Sequence, residues 1–544
     1  MKTRARSVSP EAQAQERRRA AWLEVLLLAG LLMLFFAARW PFRDADLIRD
    51  EGEYVHLGQE ILRGRVPYLD IYNQKTPVVF YLMAGVQSVA GTSVTAVHMF
   101  TTLYGMGTLL VLYGLVRRLF GWSAAFWAVL SLSSLVVGLL PDYHQANTEY
   151  FMLLWMAAGL YLWYVGRETS RLWLVVLAGV SAGLAYQTKQ TGVVLMAFFA
   201  GERLLGWVRG LKEQRDTLRA AVRDVALAGA GFGLVTAAVV GYFAWCGALD
   251  AYIECTWRNN WQYVGTRGGL AAAPLNYLRD VVTTVVRWDC GAWLLGMAAL
   301  AVLGARVRGR AVRDLWLLLA LTLGAALWSG AVFRHYYVPV LLPLAIGSGI
   351  GAGWLWEGVA SSSAKVGWRV GAAALLVAAW AWPGAHYGQY LTMPPERLEA
   401  MKHNWPPFCA AEEVGRYLAQ RTAPGEPIMV IGSEPEIYYF AERPAASRMA
   451  IMYPMTGPYS YAERLRREFL AQWESALPNY VVLVRLPSSL SERPQQAQQF
   501  VDVVSPLLKR YYVPDTVLPR PVLGGGGKGQ AEYCMVFRRK DSAQ

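Results

Sequence analysis

The feature that most constrains this chain is an apolar block that recurs along it. Runs poor in charge stand near residues 22–38, 97–116, 123–140, 150–166, 172–187, 190–206, 225–245, 290–305, 315–333, 337–356 and 367–383. Each approaches the ~20 residues with which a helix crosses ~30 Å of hydrocarbon. A helix apolar all round must be surrounded by apolar matter, and a soluble domain does not repeat such segments. The series reads as a polytopic α-helical membrane protein with about eleven transmembrane helices. Composition agrees. The chain is 55% hydrophobic and 17% charged, against roughly 25% charged in soluble domains. Intrinsic disorder is excluded by the same excess of apolar surface.

The net charge of +13 admits either a nucleic acid or a membrane surface as partner. Its distribution favours the membrane. Basic loops resist translocation, so Lys and Arg mark the cytoplasmic side. The tail 1–21 carries Lys2, Arg4, Arg6, Arg17, Arg18 and Arg19. With that tail inside, alternate loops on the same side hold Arg117 and Arg118, Arg167 and Arg171, Arg203 to Arg223, Arg306 to Arg313, then Lys365 and Arg369. The first run stays as a signal anchor, because Ala37-Ala38-Arg39 is a poor cleavage site. Residues 77–91 form a further apolar run of about fifteen, short for a span. Counting it as a span would invert every later loop, so it reads as a helix lying at the outer surface. The first outer loop then covers 39–96, within a membrane module of 22–384.

Residues 385–544 are mixed and Pro-rich. An odd span count places them outside the plasma membrane. Strand signals at Glu426–Ser433 and Tyr480–Val484, with helical patterns over 459–475 and 495–509, predict a small extracytoplasmic α/β domain. Gly524–Gly527 reads as a turn, since no strand–glycine–helix context surrounds it. The five cysteines show no CxxC spacing, which argues against a structural metal site. A bridge among Cys246, Cys255, Cys409 and Cys534 stays open.

Ionisable residues near span ends are where chemistry is sought, because charge within a bilayer is costly. Four outer clusters stand out. Arg49-Asp50-Glu51-Gly52-Glu53-Tyr54 gathers three acids whose repulsion can raise a carboxylate toward base strength. Glu51, Tyr54 and Gly58 share one helical face. Lys75-Thr76-Pro77 sets a cation at the start of the surface helix, a place that suits phosphate. Asn147-Thr148-Glu149 caps the next span and offers a further acid. Lys189 and Arg334-His335-Tyr336 are basic groups at outer span ends, suited to a lipid phosphate. Each also has a plainer reading, as caps, snorkelling side chains or interface anchors.

Taken in order, these motifs resemble the GT-C membrane glycosyltransferases, in particular the superfamily of protein O-mannosyltransferases and lipid A aminoarabinose transferases. The resemblance rests on Asp50-Glu51-Gly52-Glu53-Tyr54, Arg63 to Tyr68, Lys75-Thr76-Pro77 and Arg117-Arg118-Leu119-Phe120-Gly121, and covers roughly 22–350. The family often has Pro directly after the Lys or His, where Thr76 intervenes here. The resemblance implies a hexosyl- or pentosyltransferase that takes a sugar from a polyprenyl-phosphate donor on the outer leaflet. Lipid, protein and polysaccharide acceptors all stay open. It implies catalytic roles for Asp50, the general base, and for Glu51 and Glu149. It places Tyr54, Lys75, Lys189, Arg334, His335 and Tyr336 near the substrate and the donor phosphate. No cofactor is required, although the outer acids with His144 or His335 could hold a divalent metal. Two other readings stand beside it. A flippase for a lipid-linked substrate would show inverted repeats and broken helices at mid-membrane, and none is visible. A non-catalytic envelope assembly factor would tolerate loss of Asp50.

Overall fold

The computed structural model of the chain describes residues 10–137, 145–213, 218–266, 296, 298–299, 309–328, 333–361, 365–392, 408–485, 487–491, 493–519 and 532–540. The apolar runs are helical: α1 (Pro10–Arg39), α4 (Val94–Phe120), α5 (Trp122–Val137), α6 (Thr148–Glu168), α7 (Leu172–Thr188), α8 (Val194–Glu213), α9 (Leu218–Trp245), α12 (Arg310–Trp328), α13 (Val338–Ala360) and α14 (Val366–Thr392). Between them lie the shorter α2 (Arg49–Leu62), α3 (Val78–Ala90), α10 (Leu249–Ile253) and α11 (Asn259–Thr266). Among the described residues six helices are long and apolar enough to cross a membrane. The expected span at 290–305 lies almost wholly outside the described residues.

Burial ranks the helices. The span His335–Ala360 has 83% of its apolar window inside the protein, against 11% for Ala21–Phe42. α13 is therefore the axis of the bundle, and α1 lies at its rim. The core around α13 is aliphatic, with Trp163 stacked on Phe199 at 4.3 Å. α3 has only 13 residues, about 20 Å at the helical rise and too short for a bilayer. It buries Val79, Phe80, Met83 and Gln87.

One end of the bundle is tied by buried charge. Glu202 on α8 is fully buried and takes Arg167 of α6 at 2.6 Å and Arg310 of α12 at 2.6 Å. Asp224 of α9 receives Arg203 at 3.4 Å, and Asp314 receives Arg313 at 2.6 Å. A buried carboxylate without such partners would be costly. The site described below sits at the opposite end, about five turns of α6 away, from Arg167 back to Glu149.

Residues 408–540 form a sheet with flanking helices α15 (Phe408–Ala419), α16 (Glu436–Ala441), α17 (Ala462–Ala476) and α18 (Pro494–Tyr511). The strands β1 (Met429–Ile431), β2 (Tyr480–Val484), β3 (Tyr512–Pro519) and β4 (Glu532–Arg539) run in the order β1-β2-β4-β3. β1 pairs parallel with β2, and both pairs made by β4 are antiparallel. The hairpin β3–β4 carries no strong strand signal. Pro514 and Pro519 interrupt β3, and proline is admitted there because β3 is an edge. Cys246, Cys255 and Cys534 are free thiols, while Cys290, the Cys409 side chain and Gly524–Gly527 lie outside the described residues.

Candidate active site

The site is built on the first turn of α2. Asp50 and Glu51 stand where the free N–H groups of a helix favour negative charge. The Ile48 N–H donates to Glu51 Oε2 at 3.3 Å, closing that turn. At roughly 100° per residue, positions 50 and 54 lie about 40° apart, 53 lies about 60° to the other side of 50, and 51 lies about 60° beyond 54. Glu51 and Tyr54 thus share a face of α2, as expected, but their side chains meet different partners.

Around Asp50, Lys75 Nζ lies 3.1 Å from Asp50 Oδ1 and 3.2 Å from Glu53 Oε2. The same ammonium stands 4.5 Å over the Tyr54 ring. Glu51 is fully buried. Its Oε1 accepts from the Ala146 N–H at 2.7 Å and lies 3.4 Å from His98 Nε2. Glu51 thus fixes α2 to the strand of chain that leads into α6. His98 has no signal in the sequence, because it is a lone histidine inside an apolar run.

α6 begins there, and Glu149 in its first turn is 1% exposed. It accepts from the Thr148 hydroxyl at 2.7 Å, pairs with Lys189, and lies 3.8 Å from His335 Nε2. Lys189 follows the end of α7, and its ammonium stands 4.1 Å over the Tyr336 ring. His335 and Lys189 both act electrostatically on Asp50. Asp50, Glu149, Lys75, Lys189, His335 and Tyr336 therefore converge, although they span almost 290 positions. The Arg334 side chain lies outside the described ones, as do residues 138–144.

The loop that carries Lys75 is fastened at both ends. Tyr68 donates to the Lys75 carbonyl at 2.8 Å, and the Lys75 N–H donates to Asn73 at 2.8 Å. The Thr76 hydroxyl is buried and donates to the Tyr186 carbonyl at 3.2 Å. Thr76, where the family pattern often has Pro, thereby ties the Lys75 loop to the helix end that precedes Lys189.

Charge follows from this geometry. Burial raises the Asp50 carboxyl, but Lys75 and then His335 and Lys189 more than offset it and hold it at about 2. The upward shift expected from clustered acids fails at Asp50, because Lys75 sits beside it and Glu51 points elsewhere, and holds at Glu53, where the Asp50 charge adds to burial. Glu53 goes the other way: its burial outweighs Lys75 and raises it. Asp50 remains 29% exposed, so it is an ionised carboxylate that still reaches solvent. Among the described residues no group of three or more His, Cys, Asp or Glu is arranged to hold a metal.

The sheet unit backs α2. Arg49 bonds Glu434 at 3.0 Å and also reaches Tyr453 and the Ser433 carbonyl. Gly52 faces Glu436 so closely that a Cβ would meet its backbone nitrogen at 2.9 Å. Gln59 donates to the Tyr439 carbonyl at 3.0 Å. Both Glu436 oxygens and both His56 nitrogens are buried without a hydrogen-bond partner among the described residues. Burial and the neighbouring Glu434 push Glu436 well above the usual carboxylate range, and burial drops His56 to about 3. A carboxyl raised in the folded state stabilises while it holds its proton, and that contribution is lost as pH rises through its folded value. Glu436→Gln is therefore expected to raise the thermal midpoint near pH 8, with the gain shrinking toward about pH 5. Thermal unfolding in detergent across that range measures it, and a gain that is constant with pH would contradict the protonated state.

Residues 74–214 match the family described as dolichyl-phosphate-mannose-protein mannosyltransferase. That stretch holds Lys75, Glu149 and Lys189 but not Asp50 or His335. No curated protein matches. The fold resembles ArnT from Cupriavidus metallidurans bound to undecaprenyl phosphate, with TM-score 0.64 at 15% identity, covering 95% of this chain and 98% of that one. It also resembles the Archaeoglobus fulgidus oligosaccharyltransferase tethered with an acceptor peptide, with TM-score 0.57 at 14% identity, covering 94% of this chain and 74% of that one. The fold is that of the GT-C membrane glycosyltransferases.

Proposed function

We propose that this chain is a membrane glycosyltransferase that moves a sugar from a polyprenyl-phosphate donor to an acceptor hydroxyl at the outer face of the membrane, with inversion. The observation that carries the reading is one open carboxylate, Asp50, bracketed by Lys75 and Lys189 in a GT-C fold. Displacement at an anomeric carbon needs a base on one side and positive charge around the departing phosphate on the other. Asp50 takes the acceptor proton. Lys75, Lys189, Arg334 and His335 receive the charge that grows on the phosphate. Glu149 holds Lys189 in place, Tyr54 backs Lys75, and Tyr336 shields the Lys189 ammonium. Glu51 acts through position, linking the Asp50 helix to the start of the Glu149 helix.

A carboxylate held at about 2 is a weak base while Lys75 is paired with it. A donor phosphate competes for the same ammonium, so donor binding loosens that pair and restores Asp50's affinity for a proton. The base is thus strengthened only when there is something to transfer. This order also limits loss of the proton-accepting site to solvent acid in the empty protein.

Two measurements test the function. Deleting the gene should make a polyprenyl-phosphate sugar accumulate, seen by mass spectrometry of lipid extracts; an unchanged lipid-linked sugar pool would reject the donor assignment. A reporter fused after Gln544 should be active only outside the cytoplasm, as the orientation requires. A cytoplasmic signal would move the site to the wrong face of the membrane.

A further inference from the structure

The two lysines of the site are joined by a second path, made of tyrosines. Beginning at Lys189, the ammonium stands over Tyr336 at 4.1 Å, and Tyr336 hydrogen-bonds Tyr263 of α11. The Tyr263 ring lies 6.2 Å from Tyr459 of the sheet unit. Tyr459 stacks on Tyr461 at 5.0 Å with an 11° interplanar angle. The Tyr461 hydroxyl accepts from Gln74 at 2.8 Å, one residue before Lys75. Four tyrosines from three separate parts of the chain therefore form a rim that starts at one cation and ends beside the other.

The rim is not sealed core. Tyr461 is 5% exposed, but Tyr263, Tyr336, Tyr459 and Gln74 are each partly open. Beside the rings, α11 meets the sheet unit through neutral groups as well: Gln262 accepts from both the Ser460 N–H and hydroxyl, at 3.0 and 2.7 Å. Tyrosine offers an apolar face beside a hydroxyl, and a side-chain amide both donates and accepts. A sugar ring has the matching surface, a C–H face bordered by hydroxyls. A polyprenyl tail would call for an aliphatic wall, and an extended peptide for an open strand edge.

We infer that the tyrosine rim formed by Tyr336, Tyr263, Tyr459 and Tyr461 is a carbohydrate subsite that receives a sugar of the acceptor, so that the acceptor is itself a glycan. This rests on the transferase reading. The donor phosphate lies inward with the lysines, and the acceptor sugar stacks at the rim with its free hydroxyl directed to Asp50. The rim depends on the sheet unit, which supplies two of its four rings. That gives residues 408–540 a part in substrate choice.

Saturation-transfer NMR on the full chain in lipid nanodiscs tests it. The probes are maltotriose, chitotriose and mannotriose, a Ser/Thr-rich nonapeptide, and decaprenyl phosphate. At least one trisaccharide should bind and the peptide should not. Tyr263→Ala and Tyr459→Ala should each weaken that trisaccharide about tenfold, as expected for a central aromatic contact, while Tyr459→Phe keeps it. Decaprenyl phosphate should bind all variants equally and should not displace the trisaccharide. Binding of the peptide alone, trisaccharide affinity unchanged in both Ala variants, or displacement of the trisaccharide by the lipid phosphate overturns the proposal. If decaprenyl phosphate binds no variant and not the parent, the transferase reading fails on its own account. If it binds and no trisaccharide does, only the rim assignment falls.

Discussion

Asp50→Asn is expected to yield a protein that is folded and binds donor but transfers sugar about 10²–10⁴-fold more slowly, the range over which a positioned base contributes. Asn keeps the size of the side chain and its place in the first turn of α2. It cannot take a proton. Lys75 is not stranded by the change, because Glu53 still holds it at 3.2 Å. The fold therefore survives and the lost rate belongs to chemistry. Transfer from a lipid-linked donor, measured beside donor affinity, separates the two. Turnover at the parental rate would remove Asp50 from the reaction. The parent should also lack an acid limb in kcat/KM arising from Asp50 across the physiological range, since the free protein holds that carboxyl at about 2.

The companion result concerns Lys75. Lys75→Ala removes the largest of the charges that hold Asp50 down. Two effects follow. Donor affinity falls by tenfold or more, the scale of a lost charge-assisted bond of roughly 1.5–3 kcal/mol. The Asp50 carboxyl rises, so an acid limb enters the kcat/KM profile and activity declines as pH is lowered. The sign is fixed by the pairing: a carboxylate that loses its cation takes up protons at higher pH. Lys75→Arg keeps the charge and should keep the profile flat. A flat profile in the Ala variant would show that Lys75 does not control Asp50. Unchanged donor affinity would show that it does not meet the phosphate.

Much of this site was legible because its parts sit at ends of apolar runs. Asp50, Lys75, Glu149, Lys189 and His335 are exceptions in composition, and each exception falls where a helix begins or stops. Their convergence needed the resemblance as well, since spacing alone cannot bring residue 50 beside residue 335. Glu51 was harder to read. Its neighbours gave it a share of the acidic cluster, whereas its side chain reaches Ala146 and His98, partners set by tertiary packing. Glu53 escaped notice as a second partner of Lys75 for the same reason. The β3–β4 hairpin was hidden by its prolines. The seat of α2 on the sheet unit, through Arg49, Gly52 and Gln59, joins positions almost 400 apart and leaves no local pattern.

That seat has a consequence for how the protein can be inherited and rearranged. Arg49 is the immediate neighbour of Asp50, and its partners Ser433, Glu434 and Tyr453 all belong to the last quarter of the chain. The tail is thus not a portable attachment. A chimera that joins this membrane module to a foreign tail would keep every membrane helix and still leave the reactive turn without its footing. Recombination that succeeds must exchange α2 and the sheet unit together, so two stretches at opposite ends of the sequence form a single unit of descent.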